Sequence, residues 1–90
     1  MRCGAINCRV PRVSGNTDDQ NVLPRLGAVI WAGRKTAGFS QEAFADASGI
    51  DRSHMGKIER GERNITLLNL VRIAQTLNCR LSEILAKADL

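Results

Sequence analysis

The polar residues with the greatest capacity for chemistry lie together on one short predicted helix, over residues 52–60. Met55 and Ile58 are three positions apart and are expected to face inward, so the opposite side of this helix faces solvent. That exposed strip carries Arg52, Ser53, Gly56 and Lys57. Arginine and lysine donate hydrogen bonds to acceptors such as phosphate oxygens and base edges. The strip therefore indicates recognition of a partner rich in acceptors.

Residues suited to catalysis or metal binding are scarce. The chain has one histidine, His54, with no Ser/His/Asp set, no dense acidic cluster and no glycine-rich loop that could cradle a phosphate. We therefore expect no enzymatic activity, metal, cofactor or small-molecule substrate. Three cysteines are odd in number and too few for a disulfide scaffold, so free thiols are expected. Cys79 is expected to be a small core residue, and the roles of Cys3 and Cys8 stay open.

The composition indicates one small domain. Ninety residues with 43% hydrophobic and 24% charged residues can bury a single core. The net charge of +4 is compatible with an anionic partner. No apolar run approaches the ~20 residues of a membrane span, and no signal peptide is evident. We therefore expect a cytoplasmic protein without a membrane partner.

Two regions differ in patterning. Residues 1–22 have no sustained period, which predicts a flexible N-terminal arm. Residues 23–90 predict five consecutive short helices, hence an all-α bundle. The start and stop signals are Pro24 and Gly38, Ser40 and Gly49, Asp51 and Gly61, and Thr66 and Asn78, with the fifth helix following. The predicted inward residues are Leu26, Val29, Ile30, Gly33 and Ala37, then Ala43, Phe44 and Ala47, then Met55 and Ile58, then Leu67, Leu70, Val71, Ile73, Ala74 and Leu77, and finally Leu81, Ile84, Leu85 and Ala88.

The second and third predicted helices must cross steeply, because they are short and joined by a tight turn. Ala45 is small enough for the close contact, and Gly49 can adopt the left-handed conformation that the corner needs. The apolar residues that would fix the crossing angle are Phe44, Ile50, Met55 and Ile58. This is helix-turn-helix geometry, in which the second of the two helices presents its outer face to the major groove of DNA.

An ordered series of blocks makes the likeness to a known family specific. The blocks are Arg25-Leu26-Gly27, Arg34, Gly38-Phe39-Ser40-Gln41-Glu42, Ala45, Gly49-Ile50, Ile58-Glu59-Arg60-Gly61, Leu67, Leu70, Ile73-Ala74 and Leu77. Residues 25–90 thereby resemble the phage-repressor-like helix-turn-helix family, the Cro/cI or XRE type. The resemblance implies a lambda-repressor-like DNA-binding domain over residues 23–90. Ile65 departs from the pattern, which often has proline there, and little consequence is expected.

The resemblance also implies a role for each matching polar residue. Ser40 and Gln41 would contact a phosphate, because the backbone N–H groups and the dipole at a helix start favour an anion. The implied contacts of the third helix are Arg52, Ser53 and Lys57 to bases, His54 to a base or phosphate, and Gly56 as a point of close approach to the groove. Arg60 and Arg63 would contact phosphates after that helix. Arg34 and Glu59 would form a structural salt bridge.

These inferences predict a sequence-specific transcriptional regulator that binds double-stranded DNA as a homodimer on a palindromic operator. The dimer surface is expected at Leu85, Ala88 and Leu90, where apolar surface would otherwise be exposed. The compact layout resembles small controller proteins of restriction–modification systems and prophage regulators. Such a protein would be bacterial or phage-encoded and would work at the nucleoid.

An alternative function remains open, that of an antitoxin or anti-repressor whose helical bundle mainly binds another protein. An acidic or apolar outer face on the third helix would suit that function, and Arg52 and Lys57 disfavour it.

Two further points stay open at the sequence level. Trp31 lies off the apolar stripe of the first helix, so it would either cover the edge of the core or contact a partner. In the arm, three arginines could follow a minor groove, whereas two adjacent aspartates oppose this. These residues are Arg2, Arg9 and Arg12, and Asp18 and Asp19.

Overall fold

The computed structural model of the protein describes residues 18–90, which fold into five α-helices. The helices are α1 (Val22–Ala37), α2 (Gln41–Ser48), α3 (Arg52–Glu59), α4 (Leu67–Thr76) and α5 (Leu81–Lys87). Within this range the chain contains no strand, and the predicted all-α five-helix fold is confirmed. In the same range, no helix combines the length and the apolarity needed to cross a bilayer.

The first helix begins earlier than its sequence pattern suggests. The Asp18 carboxylate accepts hydrogen bonds from the backbone N–H groups of Val22 (2.7 Å) and Leu23 (2.9 Å). The first amides of a helix have no carbonyl partner within it, so this carboxylate satisfies them. Residues 18–22, which the sequence analysis assigned to the arm, therefore belong with α1. The rest of that arm, residues 1–17, lies outside the described residues, and with it Cys3, Cys8, Arg2, Arg9 and Arg12.

The core is assembled from the inward faces of all five helices. Its largest fully buried side chains are Ile30, Phe44, Met55 and Ile73, which come from α1, α2, α3 and α4. Ile84 adds α5 to this core. Removal of these side chains from water is the main stabilising term of such a bundle. Cys79 packs partly buried against the core, in agreement with its expected role as a small apolar residue.

The inward face of α2 differs from the prediction. Ala45 and Ser48 are buried beside Phe44, whereas Ala43 and Ala47 are exposed. Both alanines are apolar, which is why they were expected to face inward. The inward position is instead filled by a serine, whose hydroxyl forms a 3.1 Å hydrogen bond with the Thr76 hydroxyl. A polar side chain can be buried when it has such a partner.

Two more residues expected in the core are exposed. Ala37 is the last residue of α1, and Leu67 is the first residue of α4 and is 65% exposed. Both residues lie at helix ends, where no further helical turn follows on one side to cover the side chain. Leu68, the next residue, is 69% exposed.

The structure also corrects part of the expected dimer surface. Ala88 is only 3% exposed and belongs to the protein's own core, so it cannot form part of a surface between subunits. Leu85 is partly buried against the core, and Leu90 is 50% exposed. The sequence placed Ala88 both on the inward stripe of the fifth helix and on the dimer surface; the chain packs it inward and leaves Leu90 outside.

Close packing of α1 on the end of α3 depends on Gly27. A Cβ atom at this position would lie 2.5 Å from the carbonyl oxygen of Ile58 and 2.6 Å from that of Glu59. These are backbone atoms, so they cannot move aside unless α3 itself shifts. Gly27 therefore lets α1 contact the end of α3 directly.

Gly27→Ala and Gly33→Ala form a matched pair of substitutions in α1. Alanine favours a helix interior by about 1 kcal/mol over glycine in both cases. At Gly33 the new Cβ would meet only the side-chain end of Leu77, at 3.0 Å. We expect Gly27→Ala to lower the free energy of unfolding by about 2 kcal/mol or more, and Gly33→Ala to change it by less than about 1 kcal/mol. Urea unfolding measures both, and equal effects would contradict the close approach at Gly27.

Candidate nucleic-acid interface

The turn between α2 and α3 fixes how these two helices cross. Gly49 has φ 71°, a left-handed conformation that side chains disfavour. The Ile50 N–H donates to the Ala45 carbonyl oxygen over 2.9 Å and closes the end of α2. Ile50 is itself buried, so it anchors the turn to the core. The two helices thus form the helix-turn-helix that the sequence predicts.

A carboxylate and a hydroxyl set the start of α3. Asp51 accepts hydrogen bonds from the Ser53 N–H (3.1 Å) and from the Ser53 hydroxyl. The hydroxyl bond lowers the pKa of Asp51, and the backbone N–H of His54 lowers it further. Asp51 therefore stays charged at a lower pH than an ordinary aspartate does, and it caps the helix. The hydroxyl proton of Ser53, an expected base contact, is engaged within the protein.

One open surface depression spans the start of α2 and the outer side of α3. Its lining residues are Gln41, Asp51, Arg52, Ser53, Gly56, Lys57 and Arg60. Apart from Asp51, all of them are contact residues expected from the sequence, and the fold brings them together from two helices. The other expected contacts flank the depression. Ser40 accepts the Ala43 N–H at the exposed cap of α2 (3.0 Å), His54 is half-buried, and Arg63 is exposed after α3.

A buried ion pair fixes the end of α3 against α1. Arg34 donates to Glu59 from Nε to Oε2 (2.7 Å) and from Nη2 to Oε1 (3.0 Å). Its Nη1 donates to the carbonyl oxygen of Phe39 over 3.1 Å. The side chains of Arg34 and Glu59 are only 8% and 4% exposed. The two residues that the resemblance pairs therefore form a buried structural bridge.

Gln41 extends this network to the start of α2. Its Nε2 donates to Glu59 Oε1 over 3.0 Å. Part of the amide that was expected to donate to a phosphate is thus engaged inside the protein. A primary amide carries two hydrogens, so one remains for an outside acceptor. The link from Gln41 to Glu59 ties α2 to the end of α3, and no sequence signal indicated it.

Gly56 is buried, although the sequence analysis expected it to lie open for close approach to DNA. A Cβ atom here would lie 3.3 Å from Gln41 Oε1 and 3.3 Å from Arg60 Nη1. These two side chains fill the space above the glycine. Gly56 therefore makes room for Gln41 and Arg60 on the surface of α3.

Carboxylates accompany the positive charges of the depression. Arg60 donates to Glu62 from Nε to Oε2 (3.0 Å) and from Nη2 to Oε1 (3.3 Å). These hydrogen bonds lower the pKa of Glu62, and the charges of Arg60 and Lys57 lower it further. Across the turn, Arg52 Nη1 lies 3.6 Å from Glu42 Oε1.

Glu42 and Glu62 are the neighbours of the interface that sequence reasoning missed. For Glu62 a signal existed, because it follows Arg60 by two residues in a polar loop. For Glu42 there was none, since ten positions and a turn separate it from Arg52, and only the helix crossing brings the two together.

Trp31 lies outside the core on the surface of α1. It is 48% exposed, and the Lys35 ammonium nitrogen lies 5.6 Å from the centre of its ring, within the range of a cation–π contact.

Among the described residues, no group of three or more His, Cys, Asp or Glu side chains is placed to hold a metal ion.

Comparison with known proteins gives consistent matches. The family model described as helix-turn-helix, HTH_3, matches residues 32–84. The control protein C.SmaI of Serratia marcescens is 39% identical over 57 residues, which span 63% of this chain and 68% of that protein. The control protein C.MunI of Mycoplasma sp is 40% identical over 50 residues, 56% of this chain and 68% of that protein.

A solved structure extends the likeness to three dimensions. The crystal structure of the restriction-modification controller protein C.AhdI from Aeromonas hydrophila superposes with a TM-score of 0.68 at 39% identity. The match covers 69% of this chain and 94% of that chain.

The buried pair leads to a prediction about stability. Arg34→Met removes three hydrogen bonds and leaves the Glu59 carboxylate buried. We expect the free energy of unfolding to fall by about 3–5 kcal/mol, the range for a buried pair that loses one partner. Thermal or urea unfolding measures this loss. As a control, Arg72→Met changes an exposed arginine of α4 and should cost less than about 0.5 kcal/mol. Similar losses in the two variants would show that the pair has no special structural role.

Proposed function

We propose that this chain, a member of the helix-turn-helix family HTH_3 of DNA-binding transcriptional regulators, binds a specific double-stranded DNA site as a homodimer. In this proposal the site is a palindromic operator, and the protein regulates transcription from it.

The observation that carries the proposal is the two-sided character of α3. Met55 and Ile58 are buried on its inner side. Arg52 and Lys57 line an open depression on its outer side, together with residues from the start of α2. A helix held in this way can enter a major groove without exposing any of the core.

The proposed contacts divide between bases and phosphates. Arginine and lysine on the outer side of α3 can donate to the O6 and N7 atoms of guanine, and arginine can do so with two hydrogen bonds. Groups at the two ends of the helix-turn-helix would bind phosphates and fix its register. The base contacts proposed are Arg52, Ser53, His54 and Lys57, and the phosphate contacts are Ser40, the free amide hydrogen of Gln41, Arg60 and Arg63.

The relatives support a more specific biological role. C.SmaI and C.MunI are control proteins, and C.AhdI is a restriction-modification controller. Because this chain spans nearly all of C.AhdI, we infer that it controls genes of a restriction–modification system. It would then act on DNA in the cytoplasm of a bacterium.

A dimer follows from the small size of a single interface. One copy presents one short recognition helix and few phosphate contacts. Two copies related by a twofold axis would place their recognition helices ~34 Å apart and match a symmetric site. We assign the dimer surface to the end of α5, where Leu90 is half-exposed and Leu85 is partly buried.

Selection of bound duplexes from a random pool tests the function, and two variants test the division of roles. We expect a symmetric selected site and a log–log salt slope near −0.9 per phosphate contact. Arg52→Ala should weaken binding to this site about 10–100-fold and relax the preference at one base pair. Arg60→Ala should weaken all duplexes alike and flatten the salt slope by about one unit.

Fluorescence anisotropy with labelled duplexes measures these effects. If the two variants behave alike, the division into base and phosphate contacts is wrong. If the unsubstituted chain binds no duplex, the alternative of a protein-binding antitoxin or anti-repressor is favoured instead.

The dimer surface is tested by placing a charge on it. Leu90→Asp should convert a dimer into a monomer in sedimentation equilibrium, because an unpaired carboxylate is costly to bury. Leu68→Asp provides the matched control, since Leu68 is an equally apolar, exposed leucine at the start of α4. Dissociation by Leu68→Asp and not by Leu90→Asp would place the interface on α4.

A further inference from the structure

Arg60 is occupied by a carboxylate of its own chain. Its Nε and Nη2 donate to the two oxygens of Glu62, at 3.0 and 3.3 Å. Both side chains are more than half exposed, so neither is enclosed by the fold. Arg60 lines the depression on α3, and Glu62 follows it in the loop after that helix.

In this pair, Glu62 occupies the Nε and Nη2 edge of the Arg60 guanidinium. The Nε and Nη2 edge of a guanidinium matches the paired oxygens of a carboxylate or of a phosphate. Nη1 lies over the surface of Gly56, as does Gln41 Oε1. A phosphate can therefore take the two-bond edge of Arg60 only after Glu62 has left it. The displaced carboxylate would remain close by and repel the phosphate.

We propose that Glu62 is an internal competitor for Arg60, which a DNA phosphate must displace, and that Glu62 thereby lowers the affinity for duplexes of every sequence. The inference rests on the proposed function, since it requires Arg60 to meet a phosphate. Glu62 would then influence the affinity for DNA without contacting any base. Binding to arbitrary DNA depends chiefly on phosphate contacts, so such a competitor reduces occupancy of the many sites that are not operators.

The other carboxylates near the interface are less suited to this role. Glu42 lies 3.6 Å from Arg52, beyond a hydrogen bond, and makes a single contact. Asp51 is committed to the cap of α3 through Ser53. Glu62 alone among the three holds an arginine of the depression by two hydrogen bonds. The charge of Lys57, a second cation of the depression, also acts on the Glu62 carboxylate.

The test compares Glu62→Gln with Asp46→Asn in the full chain. Both substitutions remove one negative charge and keep the side-chain shape. Asp46 is exposed on α2 and lines a different depression, with Arg72 and Gln75. Binding is measured by anisotropy on the selected operator and on a random-sequence duplex, over a range of salt concentrations.

We expect Glu62→Gln to tighten binding roughly two- to five-fold on both duplexes, the range for one exposed ion pair. Asp46→Asn should change binding much less. In an Arg60→Ala background, Glu62→Gln should bring a clearly smaller gain than in the unsubstituted chain, because the residue for which it competes is gone.

Three results would overturn the inference. Equal gains for Glu62→Gln and Asp46→Asn would mean that only net charge matters. A loss of affinity in Glu62→Gln would mean that Glu62 positions Arg60 for DNA and does not compete with it. An undiminished gain in the Arg60→Ala background would point to a different partner of Glu62.

A measurement without DNA separates this inference from the proposed function. In the free protein, the Arg60 Nε–H signal in NMR spectra should exchange with water faster in Glu62→Gln than in the unsubstituted chain. Unchanged exchange would contradict the pairing itself. If the pairing is present but the unsubstituted chain binds no duplex, the proposed function fails and the inference fails with it. If the chain binds duplexes but Glu62→Gln behaves like Asp46→Asn, only the inference fails.

Discussion

The orientation of α3 depends on the buried ion pair between Arg34 and Glu59. Glu59 is the last residue of α3, Arg34 belongs to α1, and Gln41 from α2 donates to the same carboxylate, so three helices meet there. Two buried charges are unfavourable unless their geometry is good and their other polar groups are satisfied. Here the remaining donor of Arg34 is bonded to the Phe39 carbonyl. Such a network is satisfied in one arrangement of the helices and in few others.

Close packing of α1 against α3 also fixes the orientation of α3. Gly27 lets α1 lie directly on the backbone at the end of α3, and Met55 and Ile58 are buried on its inner side. A change in the tilt of α3 would therefore break hydrogen bonds and create clashes at once. The polar groups on its outer side are presented by a rigid support, which reduces the ordering that binding would otherwise require.

The outer side of α3 combines hydrogen-bond donors with carboxylates. Arg52 and Arg60 each lie next to a glutamate, and the whole chain has a net charge of only +4. A strongly positive surface would bind any duplex through its phosphates. In the proposed complex, partial neutralisation lowers this general attraction, so that discrimination depends on the base contacts of α3. The moderate charge of the chain is then suited to a regulator that must find few sites among many.

The sequence by itself determined the five helices, the caps at Ser40, Asp51 and Thr66, the glycine stops, the helix-turn-helix and the family resemblance that pairs Arg34 with Glu59. These features follow from interactions within one or two helical turns, or from spacings that a single chain displays. Only the tertiary structure decided which side chains share an environment. It buried Ser48 in place of Ala47, filled the space above Gly56, and brought Gln41 to Glu59 and Glu42 to Arg52. The physical reason is that such contacts depend on how whole helices cross, and the local preferences of the sequence do not specify that geometry.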